Sequence, residues 1–462
     1  MASRISLEAR PPLPRQSPPM KIAIVGAGLA GLCAARSLMD AGERDLTVFE
    51  PHAGPGLETS HANGALLHPS SVEPWNSPGI LRQVLANLGR EDSAMLLRPR
   101  ALPSLLGWGW RFVRESAPAR HRAHTLANVA LALRSVRLMR GPRDEGLDYG
   151  AAACGSLAIF RDAAAFAAGR EHARWLRGHG VPSRELSPGE TVAREPALEP
   201  LAPVLAGAIF NEGDEGGDAY RFCLALAAQL EARGVRFFWG TRVEALQMQG
   251  GRLGGVRVRE VGGERVDNAH NAAASNGART EPFDAVVLAA AWWSVALAAP
   301  LGLALPVRPA KGYSLTLPLP ADASGGMSPR TPVIDNDLHV AVVPVAGARL
   351  RVAGTAEFAG ESRAIEPARI DNLRRQLLRV YPTLATHVAS APRQEWTGLR
   401  PMCADGKPLI GRTRVPGLFL NTGHGQLGWT TAAGSGELLA AAVTGAAPAV
   451  DPAPFAPARF GL

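Results

Sequence analysis

The chain has 462 residues, a formal net charge of +8, 46% hydrophobic residues and 19% charged residues. This balance is typical of a globular protein and excludes a largely disordered chain, and the length favours two domains over one. The four cysteines are far apart and form no C-x-x-C pair. The sequence therefore predicts neither a disulfide framework nor a zinc site, and it favours a reducing, cytoplasmic compartment.

The N-terminal residues 1–19 contain several prolines but no apolar run of the kind found in a signal peptide. They predict a disordered leader. We expect the fold to begin near Met20, immediately before the first apolar strand pattern.

Residues 21–50, KIAIVGAGLAGLCAARSLMDAGERDLTVFE, predict a dinucleotide-binding βαβ unit. A buried strand over 22–25 enters a helix through G-x-G-x-x-G, and a second strand over 46–49 is followed by an acid. The glycines permit a tight turn, close approach to a pyrophosphate and close helix–strand packing, while the acid is placed to accept ribose hydroxyls. The acid disfavours NADP but does not separate NAD from FAD. The predicted cofactor contacts here are Gly26, Gly28, Leu29, Ala30, Gly31 and Glu50.

The segment from Arg82 to Arg143 carries twelve arginines against three acidic residues, and its net charge of +9 accounts for the whole excess of the chain. Residues 102–116 within it place Trp108 and Phe112 among arginines. This pattern is compatible with peripheral contact at an anionic membrane surface, such as the inner face of the cytoplasmic membrane. It is also compatible with the commoner arrangement, helices with a solvated basic face. Nucleic-acid binding is disfavoured because no nucleic-acid motif accompanies the charge.

The longest apolar stretch, residues 284–307, has the length of a membrane span. Ser294, Pro300 and Gly302 interrupt it, and its first third is rich in strand-forming residues. We therefore predict a buried strand, a turn and a short helix in place of a transmembrane segment.

A second glycine-rich junction lies at residues 421–436, NTGHGQLGWTTAAGSG, where the apolar run 418–420 meets a predicted helix. Its glycines let the backbone approach a ligand closely, and the start of the helix offers unpaired N–H groups. It lies far downstream of the first glycine-rich turn. A cofactor with a nucleotide end and a distant reactive end suits two such sites, which favours FAD over NAD.

Four other stretches accompany this junction, and the set is distinctive. They are ETSHANGALLHPSSVEPWNSPG at 58–79, GDEGGD at 213–218, KGYSLT at 311–316 and WTGLRPM at 396–402. Together the five resemble the FAD-dependent D-amino-acid dehydrogenases of the small-subunit type, within the broader D-amino-acid oxidase and glycine oxidase group. The motifs occur in the family's order, and the resemblance extends from about Lys21 to Pro448.

The resemblance implies an α/β (α+β) fold in which a Rossmann-like FAD-binding domain is interleaved with a substrate domain built on a mostly antiparallel sheet. The FAD-binding domain is expected to take residues 20–75, 215–299 and 394–448, and the substrate domain residues 76–214 and 300–393. Each domain is then assembled from segments that are distant in the chain.

The resemblance also implies roles for individual residues. Arg400 is expected to pair both oxygens of a substrate carboxylate, and Tyr313 either adds a hydroxyl to that carboxylate or serves in packing. The late turn would face the flavin pyrimidine ring, with His424 as a second positive influence or as a spacer. The other cofactor contacts that it implies are Ser60, Asn63, Gly64, Val243, Gly425, Gln426, Leu427, Gly428 and Trp429.

The implied activity is oxidative deamination of D-amino acids to 2-oxo acids and ammonia, with FAD as cofactor and a quinone or a protein as electron acceptor. No acid–base triad is expected, because the flavin carries the difficult step. Two alternatives stay open. One is an oxidase or dehydrogenase of secondary amines such as sarcosine or proline derivatives, and the other is a flavin-binding subunit without a substrate site.

Three features depart from the family pattern. Gly64 is followed by Ala65 where glutamine is frequent, two tryptophans (Trp292 and Trp293) stand in a turn that is usually smaller, and Cys403 stands where threonine is usual. The tryptophans are expected to crowd the cofactor. Cys403 is interpreted as a small core residue, with a covalent link to the flavin as the alternative.

Overall fold

The structure is a computed structural model that describes residues 20–86, 89–91, 93–261, 277–319 and 328–462. The side chains of residues 83, 85 and 86 are outside the description. The predicted leader, residues 1–19, also lies outside the described residues.

The strands divide into two large sheets and two small ones. They are β1 (Lys21–Val25), β2 (Asp45–Phe49), β3 (Leu66–Leu67), β4 (Met95–Leu97), β5 (Ser156–Phe160), β6 (Ser183–Leu186), β7 (Gly207–Asn211), β8 (Glu215–Gly216), β9 (Arg236–Phe238), β10 (Thr241–Gln249), β11 (Arg252–Glu260), β12 (Arg279–Pro282), β13 (Ala285–Leu288), β14 (Val307–Pro318), β15 (Val333–Asp335), β16 (Val340–Val345), β17 (Arg349–Phe358), β18 (Gln394–Cys403), β19 (Leu409–Arg412) and β20 (Leu418–Thr422).

Helices connect the strands and cover the sheets. The α-helices are α1 (Leu29–Asp40), α2 (Ile80–Ala86), α3 (Leu102–Arg114), α4 (Pro118–Leu138), α5 (Arg140–Asp144), α6 (Ala163–Arg177), α7 (Pro188–Arg194), α8 (Ala219–Ala232), α9 (Ser294–Ala298), α10 (Pro367–Val380), α11 (Ala385–Ser390) and α12 (Gly428–Thr444). Short 3-10 helices span Pro99–Ala101, Pro196–Val204, Ala291–Trp293, Ala299–Leu301, Pro382–Leu384, Gly425–Leu427 and Pro457–Phe460.

The first large sheet has the strand order β19-β20-β13-β1-β2-β9. The ladders among β20, β13, β1, β2 and β9 are parallel, and β19 pairs with β20 in the antiparallel sense. Because both faces of such a sheet are covered, its strands are nearly continuous apolar runs. Alternate residues of β1 show this directly. Ile22 and Ile24 pack with α1, α8 and α12, whereas Ala23 and Val25 pack against the small sheet β10-β11-β12.

The second large sheet has the order β18-β14-β17-β16-β15-β5-β7-β6, with β4 pairing to β17. Its ladders are mostly antiparallel; the pairs β15–β5 and β17–β4 are parallel. One face carries an apolar cluster in which Leu315, Val342 and Val352 pack against Leu373 and Leu377 of α10. This architecture is the predicted fold class, a Rossmann-like parallel sheet combined with a mostly antiparallel one.

The first sheet draws its strands from four distant parts of the chain, as the interleaved arrangement requires. One predicted boundary needs correction. The FAD-binding segment was expected to begin at residue 394, but β18 (Gln394–Cys403) pairs with β14 along its whole length and so belongs to the second sheet. The chain enters the first sheet only at β19. Motif order alone does not reveal this pairing, because β14 lies about eighty residues earlier.

The apolar stretch 284–307 forms the buried strand β13, a 3-10 turn and the short helix α9, in agreement with the prediction. Within the described ranges, no helix is both long and apolar enough to cross a membrane. Within the stretch, β13 is fully buried, whereas the turn and α9 are partly exposed.

Candidate active site

A cavity of about 1210 Å3 lies between the two large sheets. It extends from the turn between β1 and α1 to the strand pair β14–β18 and includes the loop after β20. Typical sites for small ligands have roughly 300–1000 Å3. The cavity therefore has room for a large cofactor together with a second, smaller molecule.

The first glycine-rich turn is shaped by three different constraints. Gly26 has φ +106°, and a Cβ there would lie 2.8 Å from the carbonyl oxygen of Ala289. A Cβ at Gly31 would lie 1.9 Å from the Gly26 oxygen, so Gly31 brings α1 close to β1. A Cβ at Gly28 would find only Ser60 Oγ, at 3.5 Å, and Gly28 lines the cavity. Gly28 is thus open toward the cavity, as a residue that approaches a pyrophosphate would be.

Glu50 directly follows β2 beside this turn and is almost fully buried. Its two carboxylate oxygens accept hydrogen bonds from the backbone N–H of Ala27 at 2.8 Å and of His52 at 3.2 Å. Burial raises the pKa of the Glu50 carboxyl, and the two N–H donors oppose that rise. The carboxylate lines the cavity in a fixed orientation with acceptor capacity left for hydroxyl groups.

Segment 58–65 leads from the first sheet to the second, and two hydrogen bonds attach it to strands of the second sheet. Thr59 Oγ1 donates to the Leu399 oxygen on β18 at 2.9 Å, and Ser314 Oγ on β14 donates to the Ala62 oxygen at 2.7 Å. Asn63 Oδ1 accepts from Ala65 N–H at 3.0 Å, which fixes the turn at Ala65, where φ is +58°. The segment is therefore anchored next to β14 and β18, and it forms one wall of the cavity.

Arg400 projects from β18 into the cavity. Its Nη1 donates to the Thr355 carbonyl oxygen at 3.0 Å, and its Cζ lies 5.5 Å from the centre of the Trp75 ring. Among the described residues, no carboxylate oxygen lies within 4 Å of the Arg400 guanidinium. Burial lowers the pKa of Arg400 to about 10, so the group stays charged at neutral pH. A half-buried cation that faces a cavity and has no acidic partner favours binding of an anion.

Two glycines outside the predicted site residues leave space for the side chains of Arg400 and Trp396. Gly312 on β14 and Gly398 on β18 are opposite each other in the ladder. A Cβ at Gly312 would lie 2.3 Å from Arg400 Cζ, and a Cβ at Gly398 would lie 2.2 Å from Trp396 Cη2. The guanidinium and the indole therefore lie flat over bare backbone. The available signal was glycine inside a strand pattern, which indicates a close approach.

Tyr313 has a different partner from the predicted one. Its hydroxyl donates to Glu357 Oε2 at 2.6 Å, and its ring packs in the apolar cluster under α10. Glu357 is fully buried and also accepts from Arg98 Nε at 2.7 Å. The bond to Glu357 and burial raise the pKa of the Tyr313 hydroxyl. The structure thus favours the packing interpretation of Tyr313 over a contact to the substrate carboxylate.

The late turn lies at the end of β20, where the 3-10 helix Gly425–Leu427 leads into α12. His424 Nε2 lies 3.1 Å from Ser435 Oγ, and burial lowers the pKa of His424 to about 4. The ring is therefore neutral at neutral pH, which favours the interpretation of His424 as a spacer over a positive influence. What the turn offers a ligand is the backbone N–H groups at the helix start.

The structure brings nearly all of the predicted residues to one cavity. Those that line it are Gly26, Gly28, Leu29, Ala30, Glu50, Ser60, Asn63, Gly64, Val243, Tyr313, Arg400, His424, Gly425, Gln426, Gly428 and Trp429. Gly31 is absent from the lining because it packs against β1, and Leu427 because it packs with Val72 and Val129.

The departures from the family pattern have distinct environments. Trp292 and Trp293 both line the cavity, as the crowding interpretation requires. Cys403 is buried in the core beneath the first sheet, outside the cavity lining, and its Sγ lies 3.2 Å from Asp405 Oδ1. This environment favours Cys403 as a core residue over a covalent attachment point.

The residues present fit FAD. The open face of Gly28, the oriented Glu50 carboxylate and the late turn lie along one continuous cavity. Asn421 Oδ1 and Trp429 Nε1 are buried in the same lining without a hydrogen-bond partner among the described residues. Buried polar atoms of this kind are costly unless a bound group satisfies them.

Comparison with known proteins identifies the family of this chain. The family model of FAD dependent oxidoreductases (DAO) matches residues 21–442. The chain belongs to this family. Membership confirms the predicted family group, the class of enzyme and FAD as the cofactor.

The D-amino acid dehydrogenase of Paramagnetospirillum magneticum is 38% identical over 438 residues, which cover 94% of this chain and 97% of that protein. The D-amino acid dehydrogenase of Dechloromonas aromatica is 38% identical over 432 residues, which cover 93% and 98%. The similarity to these enzymes therefore extends over both large sheets. It confirms the resemblance that the motifs indicated.

Solved structures share the fold at lower sequence identity. Glycine oxidase from Geobacillus kaustophilus has a TM-score of 0.71 and 24% identity, with 95% of this chain and 98% of that chain covered. L-proline dehydrogenase from P. horikoshii has a TM-score of 0.69 and 17% identity, with 97% and 98% covered. These likenesses confirm the predicted fold class.

Proposed function

We propose that this enzyme oxidises D-amino acids to 2-oxo acids and ammonia with FAD as its cofactor. The observation that carries the proposal is Arg400, a cation that faces the same cavity as the dinucleotide turn and has no acidic partner among the described residues. The relatives that are 38% identical carry the name D-amino acid dehydrogenase, which supports the substrate class. In this proposal the first sheet holds the cofactor and the second holds the substrate.

Arg400 binds the substrate carboxylate. The guanidinium has donors left after its bond to Thr355, and its planar fork matches the two carboxylate oxygens. The bare backbone of Gly312 and the ring of Trp75 limit how the guanidinium can rotate, so the carboxylate is held in one orientation. FAD, when bound, supplies the acceptor for the hydride that leaves the substrate Cα. Water then hydrolyses the imino acid to the 2-oxo acid and ammonia.

Two histidines and an aspartate of the cavity lining are poorly suited to acid–base catalysis. Burial lowers the pKa of His68 and of His424, both of which line the cavity, so these imidazoles are neutral at neutral pH. Asp335 in the lining is held by an ion pair with Arg161. Orientation of the substrate is then the main contribution of the protein at this end of the cavity.

We further propose that the electron acceptor, a quinone or a protein, is met at a membrane surface. Helix α3 presents Leu102, Leu106, Trp110 and Val113 to solvent along one face, with Leu106 71% and Trp110 63% exposed. Its other face packs through Trp108 and Phe112 against Phe358. Arg114 lies over the Trp110 ring at 4.9 Å. An exposed apolar stripe bordered by arginines suits the headgroup region of an anionic bilayer.

The test of the activity is anaerobic addition of D-alanine, D-proline, sarcosine and L-alanine to the FAD-loaded protein. We expect D-alanine, and not L-alanine, to bleach the visible flavin band. Bleaching by sarcosine or D-proline alone would replace the proposal with secondary-amine oxidation. A protein that none of the four bleaches would contradict the proposal and favour a flavin-binding subunit.

The Arg400 assignment is tested by substitution. We expect Arg400→Ala to retain FAD and to lose roughly 30-fold to several-thousand-fold in kcat/KM, because truncating a buried charge partner typically costs about 2–5 kcal/mol. Arg393→Ala is the matched control, since Arg393 is exposed and pairs only with Glu395 among the described residues. Full turnover by Arg400→Ala would show that another group binds the carboxylate.

A further inference from the structure

The ladder between β14 and β17 contains an irregularity at the edge of the cavity. Gly312 is opposite Ala356, but the next residue of β14, Tyr313, is opposite Gly354. Thr355 is therefore an extra residue without a partner in this ladder, which defines a β-bulge. The ladder of β17 with β16 ends at Gly354, and that with β4 begins at Ala356, so Thr355 also falls between its neighbours on the other side.

The backbone of Thr355 is strained. Its φ is +59°, in the left-handed region that glycine adopts freely and that a β-branched residue strongly disfavours. Bulges of this kind commonly carry glycine at the left-handed position. A threonine in that conformation is retained only where the surrounding structure holds it, and such residues cluster at binding sites.

The carbonyl oxygen and the side chain of Thr355 both face the site. Its carbonyl oxygen accepts from Arg400 Nη1 at 3.0 Å. Its side chain lines the cavity, is 5% exposed, and its Oγ1 has no hydrogen-bond partner among the described residues. A buried hydroxyl without a partner, held by a strained backbone next to Arg400, is placed to form a hydrogen bond with a ligand.

We propose that Thr355 is a substrate-binding residue whose Oγ1 accepts a hydrogen bond from the α-amino N–H of the substrate. This inference rests on the proposed oxidation of D-amino acids. Arg400 satisfies both oxygens of the carboxylate, so the group of the amino acid that still needs an acceptor is the amine. The Thr355 carbonyl bonds to Arg400 and the Thr355 side chain lines the same cavity, so in this proposal the hydroxyl lies at the same end of the bound amino acid as Arg400.

A hydroxyl suits this position better than a carboxylate. A carboxylate would stabilise the ammonium form, which cannot release a hydride from Cα, whereas a neutral acceptor favours the ammonium much less. Two acids of the cavity lining already form ion pairs. Asp335 pairs with Arg161, and Glu58 pairs with His52 and Arg363. Thr355 therefore orients the amine while leaving its neutral form accessible.

Three substitutions separate the hydroxyl from the strain. Thr355→Ser keeps the hydroxyl, Thr355→Val keeps the branched shape without it, and Thr355→Gly removes both the hydroxyl and the strain. We expect the KM for D-alanine to rise about threefold to tenfold in the Val and Gly variants and to stay near the wild-type value in the Ser variant. Thr355→Gly should melt at or above the wild-type temperature, because it relieves the positive φ.

Propionate provides a readout that does not depend on turnover, because it has the carboxylate of D-alanine and no amine. Titration of the flavin absorbance with propionate should give the same Kd, within about twofold, for wild type and all three variants, since Arg400 alone holds this ligand. An equal loss of propionate and D-alanine binding would mean that Thr355 acts only through Arg400 and would overturn the assignment. An unchanged D-alanine KM in both the Val and Gly variants would overturn it as well.

The failure of this inference is distinguishable from failure of the proposed function. A wild-type protein that no D-amino acid reduces would refute the function. A wild-type protein that D-alanine reduces, with Val and Gly variants that match it, would refute only the role of Thr355.

Discussion

Gly28 and Gly31 belong to the same turn but have different surroundings. A Cβ at Gly31 would lie 1.9 Å from the Gly26 carbonyl oxygen, whereas a Cβ at Gly28 would find only Ser60 Oγ at 3.5 Å. We expect Gly28→Ala to fold with a nearly unchanged apoprotein Tm and to bind FAD roughly tenfold more weakly, because the methyl enters the space where the cofactor approaches the backbone. Gly31→Ala should lower the apoprotein Tm through the clash. FAD titration and thermal melts measure the two effects.

The two variants serve as controls for each other, since each adds one methyl to the same turn. A general sensitivity of the turn to bulk would lower the Tm of both proteins. Normal FAD affinity in a well-folded Gly28→Ala protein would mean that the pyrophosphate does not approach this residue.

At this scale, the local motif predicted the glycine turn and Glu50, whereas the role of Arg400 was implied by the family resemblance. Thr355 could not be predicted in this way. Its positive φ arises from a register shift between β14 and β17, whose residues lie about forty positions apart in the chain. The partner of Tyr313 is Glu357 for the same reason, since it comes from the neighbouring strand.

Helix α3 is the element with an unusual surface, because it has apolar residues on two faces. Trp108 and Phe112 are buried, while Leu106 and Trp110 are largely exposed. We expect the protein to bind vesicles that contain phosphatidylglycerol. The double variant Leu106→Ser/Trp110→Ser should bind them at least roughly tenfold more weakly, because two large apolar side chains no longer insert into the bilayer. Co-sedimentation with vesicles measures the binding.

Leu224→Ser is the matched control, because Leu224 is 43% exposed on α8 and lies outside the basic segment. Vesicles of phosphatidylcholine alone should bind the wild type weakly, because the arginines then have no anionic headgroups to meet. Equal binding by the wild type and the α3 double variant would place the membrane contact elsewhere or remove it.

Periodicity and turn residues predicted β1, α1 and β2, and also the strand, turn and short helix of the long apolar stretch. Strand partners were less accessible. The family resemblance assigned residues 394–448 to the FAD-binding domain. Backbone pairing with β14 places β18 in the other sheet, where it presents Arg400 to the cavity.

The two large sheets meet at the cavity. Segment 58–65 follows the first sheet in the chain and is bonded to the second through Thr59 and Ser314. The β1–α1 turn, the loop after β20 and the strand pair β14–β18 all line the same space. A cofactor bound along this space contacts elements of both sheets, so its binding energy contributes to the stability of the two together.

We therefore expect removal of FAD to lower the melting temperature of the chain as a single unit. Because FAD binds the folded chain, each tenfold increase in free FAD above its Kd should add about 1.4 kcal/mol to the free energy of unfolding and raise the Tm accordingly. Scanning calorimetry of the apoprotein at increasing FAD concentrations measures this, with FMN, which lacks the adenylate half, as the control ligand. Two separate transitions, of which only one moves with FAD, would show that the second sheet unfolds independently and that the cofactor stabilises the first sheet alone.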